Sequence, residues 1–289
     1  KNIKYILPSL ILLSFFFISS CGDIIEEPYL KKNSDTTKID TNKLIRKVLL
    51  EDYTGFTCGN CPSAAEKAKS IIKANAGKVI VMAVHAGGFA LPSKAHPYDF
   101  RTPAGNELNV FFGIDKASNP NGLINRKGYT SGQKTHIFSP TKWDSEVQKS
   151  LAEKPKYLIT MASNYNSATK TAKIDVSIKY LEKGLKNLSL ILYMIEDSII
   201  QYQTDYRLDP PDIPDYNHMH ILRDAPLGTW GESISATDVN AGTTVNKSYN
   251  YTIPSGKDWV PKNMKIIAAI QDNGNTYEVL QVEETELIK

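Results

Sequence analysis

Two cysteines three positions apart, Cys58-Gly59-Asn60-Cys61, stand where the hydrophobic period of the chain changes, and this constrains the fold more than any other feature. Before them, within Leu44 to Tyr53, Val48-Leu49-Leu50 is an apolar run suited to a buried strand, ending in the acidic Glu51 and Asp52 and a turn at Gly55. After them Pro62 fits the first turn of a helix, where its missing N–H is harmless, and Ala64, Ala65, Ala68, Ile71 and Ile72 recur at helical spacing until Gly77. The β-branched run from Lys78 to His85 predicts a second buried strand. Strand, dithiol, helix, strand is the opening of a βαβ unit, and C-x-x-C at its first junction is the redox signature of thioredoxin-like folds.

The rest of the first half extends this pattern. Residues 105–114 read as a short helix, Gly122 to Arg126 as a strand entered through Asn119-Pro120, and residues 140–153 as a helix carrying Trp143, Val147 and Leu151. Beyond Lys154 the period becomes alternating. Strand-like segments fall at 157–163, 172–180, 188–195, 248–253, 265–271 and 277–282, with a proline-containing excursion over 205–235 between strands. The expected architecture is an α/β thioredoxin-like domain over 44–154 followed by an antiparallel β-sandwich over 155–289. The immunoglobulin arrangement is one candidate for its topology.

The amino-terminal segment predicts export. Lys1 and Lys4 precede an apolar run from Ile6 to Ile18, and Ser19-Ser20-Cys21 follows, so residues 1–20 read as a signal peptide. The apolar run is shorter than the roughly 20 residues a membrane-spanning helix needs. Ile18-Ser19-Ser20-Cys21 resembles a lipobox, which would put a lipid anchor on Cys21, and residues 21–43 are polar enough to be a flexible tether. Asp23, Glu26 and Glu27 are either scattered acids of that tether or a surface-export signal of the kind some lipoproteins carry. The expected location is the outer membrane, facing the periplasm or the cell surface.

Charge excludes one class of partner. Lys and Arg number 34 against 31 Asp and Glu, and without Lys1 and Lys4 the balance is nearly neutral. Such a chain has no electrostatic footprint for nucleic acid. With Cys21 acylated, only Cys58 and Cys61 remain in a compartment where disulfides persist, so they either pair or stay reduced for a purpose. In the catalytic reading Cys58 caps the helix and is the nucleophile, while Cys61, one turn inside, resolves the mixed disulfide. Asp52, six residues before Cys58, is a candidate for the buried acid that carries the proton of the resolving thiol, with Glu51 competing for the inward face. Pro120 is the candidate for a cis-proline facing the sulfurs.

His218 and His220 alternate and would share a face on a strand, and His85, His96 or His136 would have to complete a metal shell. Two histidines supply only half of one, and neutral, hydrogen-bonded histidines are the favoured reading. No cofactor or metal is expected.

Three motifs carry a family resemblance: Val48 to Pro62 around the dithiol, Asn125-Arg126, and Tyr216-Asn217-His218-Met219-His220-Ile221-Leu222-Arg223. They resemble the outer-membrane lipoprotein family named for its twenty-eight-kilodalton member. The resemblance implies a thioredoxin-like domain, a β-rich domain and a lipid anchor, without fixing a reaction. Thr57 departs from it, standing where many redox-active relatives have Trp. Two functions follow as expectations: thiol-disulfide exchange on envelope proteins through Cys58, Cys61, Asp52 and Pro120, or a non-catalytic assembly role within an outer-membrane complex, with the disulfide as a staple.

Overall fold

Strand β1 (Val48–Thr54) is buried at all seven positions, which fits a sequence with no polar alternation and places it in the interior of a sheet. The computed structural model describes residues 44–234, 239–274 and 276–288; the leader, the lipidation candidate Cys21 and the tether lie outside the described residues. Helix α1 (Cys61–Ala74) follows the dithiol and buries Ala64, Ala68 and Ile71, and β2 (Val79–His85) returns parallel to β1, with Asp52 paired to Ala83 and Thr54 to His85. Helix α2 (Pro103–Phe111), capped by the Thr102 hydroxyl accepting from the Gly105 amide, leads to β3 (Asn121–Ile124). β3 runs antiparallel to β1, and α3 (Pro140–Leu151) packs Trp143 and Val147 behind it.

The second half supplies β4 (Tyr157–Asn166), β5 (Thr171–Tyr180), β6 (Leu188–Glu196), β7 (Ile199–Thr204), β8 (Asp212–His218), β9 (Ile221–Asp224), β10 (Glu232–Ser233), β11 (Thr244–Thr252), β12 (Met264–Asp272) and β13 (Val279–Glu286). Each strand expected beyond residue 154 is present within a few residues of its predicted ends. The excursion over 205–235 differs from expectation, because it contains β8, β9 and β10, and β7 with β8 forms a separate two-stranded hairpin.

The strands do not divide at residue 154. One sheet runs β13-β12-β6-β9-β2-β1-β3, with β10 attached to β6, and β2 meets β9 in parallel at Ala83 and Ile221. Residues 42–289 accordingly form one compact unit. The antiparallel sandwich expected for the second half is present as two layers, one of them shared with the first half. Its smaller layer is the antiparallel sheet β11-β5-β4, and its other layer is the antiparallel β6-β12-β13 part of the mixed sheet. The cause is the continuous apolar run of β6, Leu188 to Glu196, which is buried on both faces and can therefore sit inside a large sheet.

One face of that sheet is filled by Leu49, Tyr53, Met82, Val84, Tyr193, Ile267 and Val282 with Leu108 of α2. The other face is covered by α1 and α3 at one end and by the three-stranded sheet at the other. Where the halves join, a buried ion pair crosses the sheet. Arg126 donates through Nε (2.8 Å) and Nη2 (2.7 Å) to the two carboxylate oxygens of Glu51, through Nη2 to the Tyr193 hydroxyl at 3.0 Å, and through Nη1 to Gln271. Asn125 before it accepts from the Leu49 amide at 2.8 Å through its side chain, and its backbone carbonyl accepts from the Val279 amide. The Asn125-Arg126 motif therefore joins strands of both halves.

Candidate functional site

Strand alternation decides between the two acids. Asp52 shares the face of Val48 and Leu50, on which α1 packs, while Glu51 points to the opposite face and is held by Arg126. Asp52 is 3% exposed, and its Oδ1 has no hydrogen-bond partner. Burial without a compensating donor disfavours its charged form and pushes its pKa up to about 7.

Cys58 and Cys61 form a disulfide, with Cα atoms 5.3 Å apart. The helix does not begin as the sequence reading placed it. Asn60 occupies the cap, Cys61 is the first helical residue rather than one turn inside, and Cys58 lies in the preceding turn, its carbonyl accepting from the Cys61 amide at 3.1 Å. The cause is the tight turn that the disulfide loop makes ahead of Pro62.

The Asn119–Pro120 peptide is cis, and Pro120 immediately precedes β3, whose Asn121 pairs with Tyr53 near the end of β1. Pro120 thus lies at the end of the sheet from which the chain enters the dithiol turn. Thr57 is tied down on the way: its amide (3.1 Å) and hydroxyl (2.9 Å) both donate to the Phe89 carbonyl. Gly55 permits this contact, because a Cβ there would lie 2.4 Å from the Phe89 backbone.

The β7–β8 hairpin lies over this region. The Thr204 amide donates to the Phe56 carbonyl (2.8 Å), the Tyr206 amide to the Gly59 carbonyl (2.9 Å), and the Gln203 side chain to the Cys58 carbonyl (3.1 Å). Under this cover Cys58 is 3% and Cys61 2% exposed. Arg207 forks onto both oxygens of Glu66 on α1 (2.7 and 2.8 Å) and also bonds Asp205. Burial, and then the charge of Asp52, raise the Tyr216 hydroxyl above its ordinary pKa.

The histidines part company. His218 ends β8 with Nε2 3.2 Å from the Tyr202 carbonyl, while His220 sits beyond the strand with φ 61° and turns to Asp197, Nδ1 to Oδ1 3.1 Å. Leaving the strand is what separates two side chains expected on one face. His85 packs on Phe100 with centroids 4.4 Å apart and lies 5.5 Å from the His218 ring. Burial, then the repulsion a protonated His85 would meet from a protonated His218 and from Arg223, hold His85 well below the ordinary histidine range, and burial brings His218 down to about 4, so both are neutral at neutral pH. His96 stacks on Tyr202, and His136 approaches the Phe112 carbonyl at 3.0 Å. Among the described residues no three His, Cys, Asp or Glu side chains are placed to hold a metal ion. Beside the hairpin an aromatic cleft of about 490 Å³ is lined by Phe56, His96, Tyr98, Phe100 and Tyr202.

Gln203, Tyr206, Arg207 and Tyr216 were not singled out for this site by the sequence. The alternation Ile199-Ile200-Gln201-Tyr202-Gln203-Thr204 is the signal that could have shown a strand here. The prolines at 210, 211 and 214 obscure its partner.

A β-rich chain with, among the described residues, three α-helices and a disulfide at a strand-to-helix junction is the class that fold and site define. Residues 111–288 match the sequence profile of the outer membrane protein Omp28 family. The chain belongs to this family of outer-membrane lipoproteins. That match begins after the dithiol, so the two cysteines lie outside it. Among the described residues no helix is long and apolar enough to cross a membrane. No curated protein matches the chain. Of solved structures, HBP35 of Porphyromonas gingivalis is similar at a TM-score of 0.62 and 14% identity, over 84% of this chain and 76% of that one. A protein from Agrobacterium tumefaciens is similar at 0.52 and 12%, over 86% and 97%. A domain of the outer membrane lipoprotein Omp28 from Porphyromonas gingivalis is 25% identical over 46% of this chain and 89% of that one, at a TM-score of 0.32. The first two likenesses concern the fold alone.

Proposed function

We propose that this outer-membrane lipoprotein, anchored through a lipid on Cys21, carries a thioredoxin-like module that exchanges thiols and disulfides with envelope proteins. The observation that supports this most is Asp52. A buried carboxyl without a donor costs stability, and one poised near neutral pH on the face that holds α1 is suited to moving a proton at Cys61. In the reaction a client thiolate attacks Sγ of Cys58, the Cys58–Cys61 bond breaks, and Cys61 leaves with the electron pair and takes a proton from Asp52. A second client thiolate then displaces Cys58, so the client gains a disulfide and the chain a dithiol. In this reading Pro120 is the residue that would offer backbone to the client.

The test is exchange with a reduced protein client. Wild type should oxidise it in step with loss of its own disulfide, and Cys58→Ser should be inactive. A wild-type chain inert at every redox poise would end this reading.

A second reading has its own support in the deep burial of both sulfurs. A closed staple in an assembly subunit would stay oxidised in strongly reducing glutathione buffers, and double cysteine replacement would leave association with outer-membrane complex subunits intact.

A further inference from the structure

We propose that residues 204–207, at the end of the β7–β8 hairpin, are a built-in cover that occupies the place of an extended client peptide and must lift before either sulfur can react. This rests on the exchange reading above. The cover has the chemistry of such a peptide. Two backbone amides, of Thr204 and Tyr206, take the carbonyls of Phe56 and Gly59, which flank the first cysteine. An extended client lying along the dithiol turn would need those same acceptors. The Tyr206 ring then fills the space over Gly59 so closely that a Cβ on that glycine would fall 2.4 Å from ring atoms.

The two ends of the hairpin are held very differently. At its base Ile199 and His218 are buried and paired, and the register holds as far as Gln201 opposite Tyr216 before it shifts. At its tip Tyr206 is 65% exposed although it covers a buried disulfide. The latch from Arg207 to Glu66 is also in solvent, with side chains 48% and 63% exposed. Exposed ion pairs contribute little to stability, and segments held by few buried contacts open locally without global unfolding. Asp205 within the cover is itself buried, so the parts free to rise first are the exposed Tyr206 ring and the Arg207–Glu66 latch, about a firmly seated base.

The experiment is reduction of the Cys58–Cys61 disulfide in the native protein by tris(carboxyethyl)phosphine, timed by alkylation of the released thiols. Tyr206→Ala should react roughly tenfold faster than wild type, with the same unfolding midpoint. Gly59→Ala, which forces the ring away while leaving Tyr206 in the chain, should do the same. Equal rates in wild type and both variants would overturn the proposal, as would an acceleration that merely follows a loss of global stability. The reagent needs no enzymatic turnover, so the two proposals fail separately. Faster reduction in chains inert toward a protein client leaves the cover standing and removes the exchange reading.

Discussion

Replacing Arg126 with methionine is expected to destabilise the fold by about 3–5 kcal/mol, because it leaves the Glu51 carboxylate buried without its partner. Both side chains of the pair have no solvent exposure, and Arg126 also serves Tyr193 and Gln271. Restoring neutrality should recover most of the loss, so the double variant Glu51→Leu with Arg126→Met should lie well above the single one in denaturant unfolding. A single variant costing less than about 1 kcal/mol, the range of an exposed pair, would show that the pair is not the joint it resembles.

The pH dependence of stability should change when Asp52 is replaced by asparagine. Burial raises its folded pKa from 3.8 to about 7, so between these values the folded chain binds a proton that the unfolded chain has released. Raising the pH through that window therefore favours unfolding, and wild type should lose on the order of 3 kcal/mol at this site between about pH 4 and about pH 8. Asp52→Asn removes the titration. Its stability relative to wild type should rise across that window, as read from chemical unfolding at each pH. Parallel curves for the two proteins would mean that Asp52 ionises as it does in the open chain.

Much of the fold could be read before the structure. Buried strands announce themselves by apolar runs, Val48-Leu49-Leu50 in β1, Val79 to Val84 in β2 and Leu190 to Ile195 in β6, and α1 by its Ala64, Ala68, Ile71 period. The joining of the halves could not be read, because a run buried on both faces says that a strand has two neighbours without naming them. Ala83 meeting Ile221 is a contact over a long stretch of chain, and no local pattern encodes it. Around Asp52 and the dithiol, the strand-to-helix junction was legible because an apolar run, a turn and a helical period follow one another there. Tyr206 and Arg207 were not, since one engages through a backbone amide and an exposed ring and the other through an exposed ion pair, features that many loops offer. His218 and His220 misled because alternation holds only while the strand continues, and the backbone turns after His218.

The continuity of the large sheet through β2 and β9 has a consequence for how the molecule comes apart. Cutting the chain after α3 would bare the side of β2 that β9 now shields and strip Arg126 of half its acceptors. Heating the intact protein should accordingly melt the dithiol region and the distal β-layers as a single calorimetric event, with neither surviving as a remnant of the other.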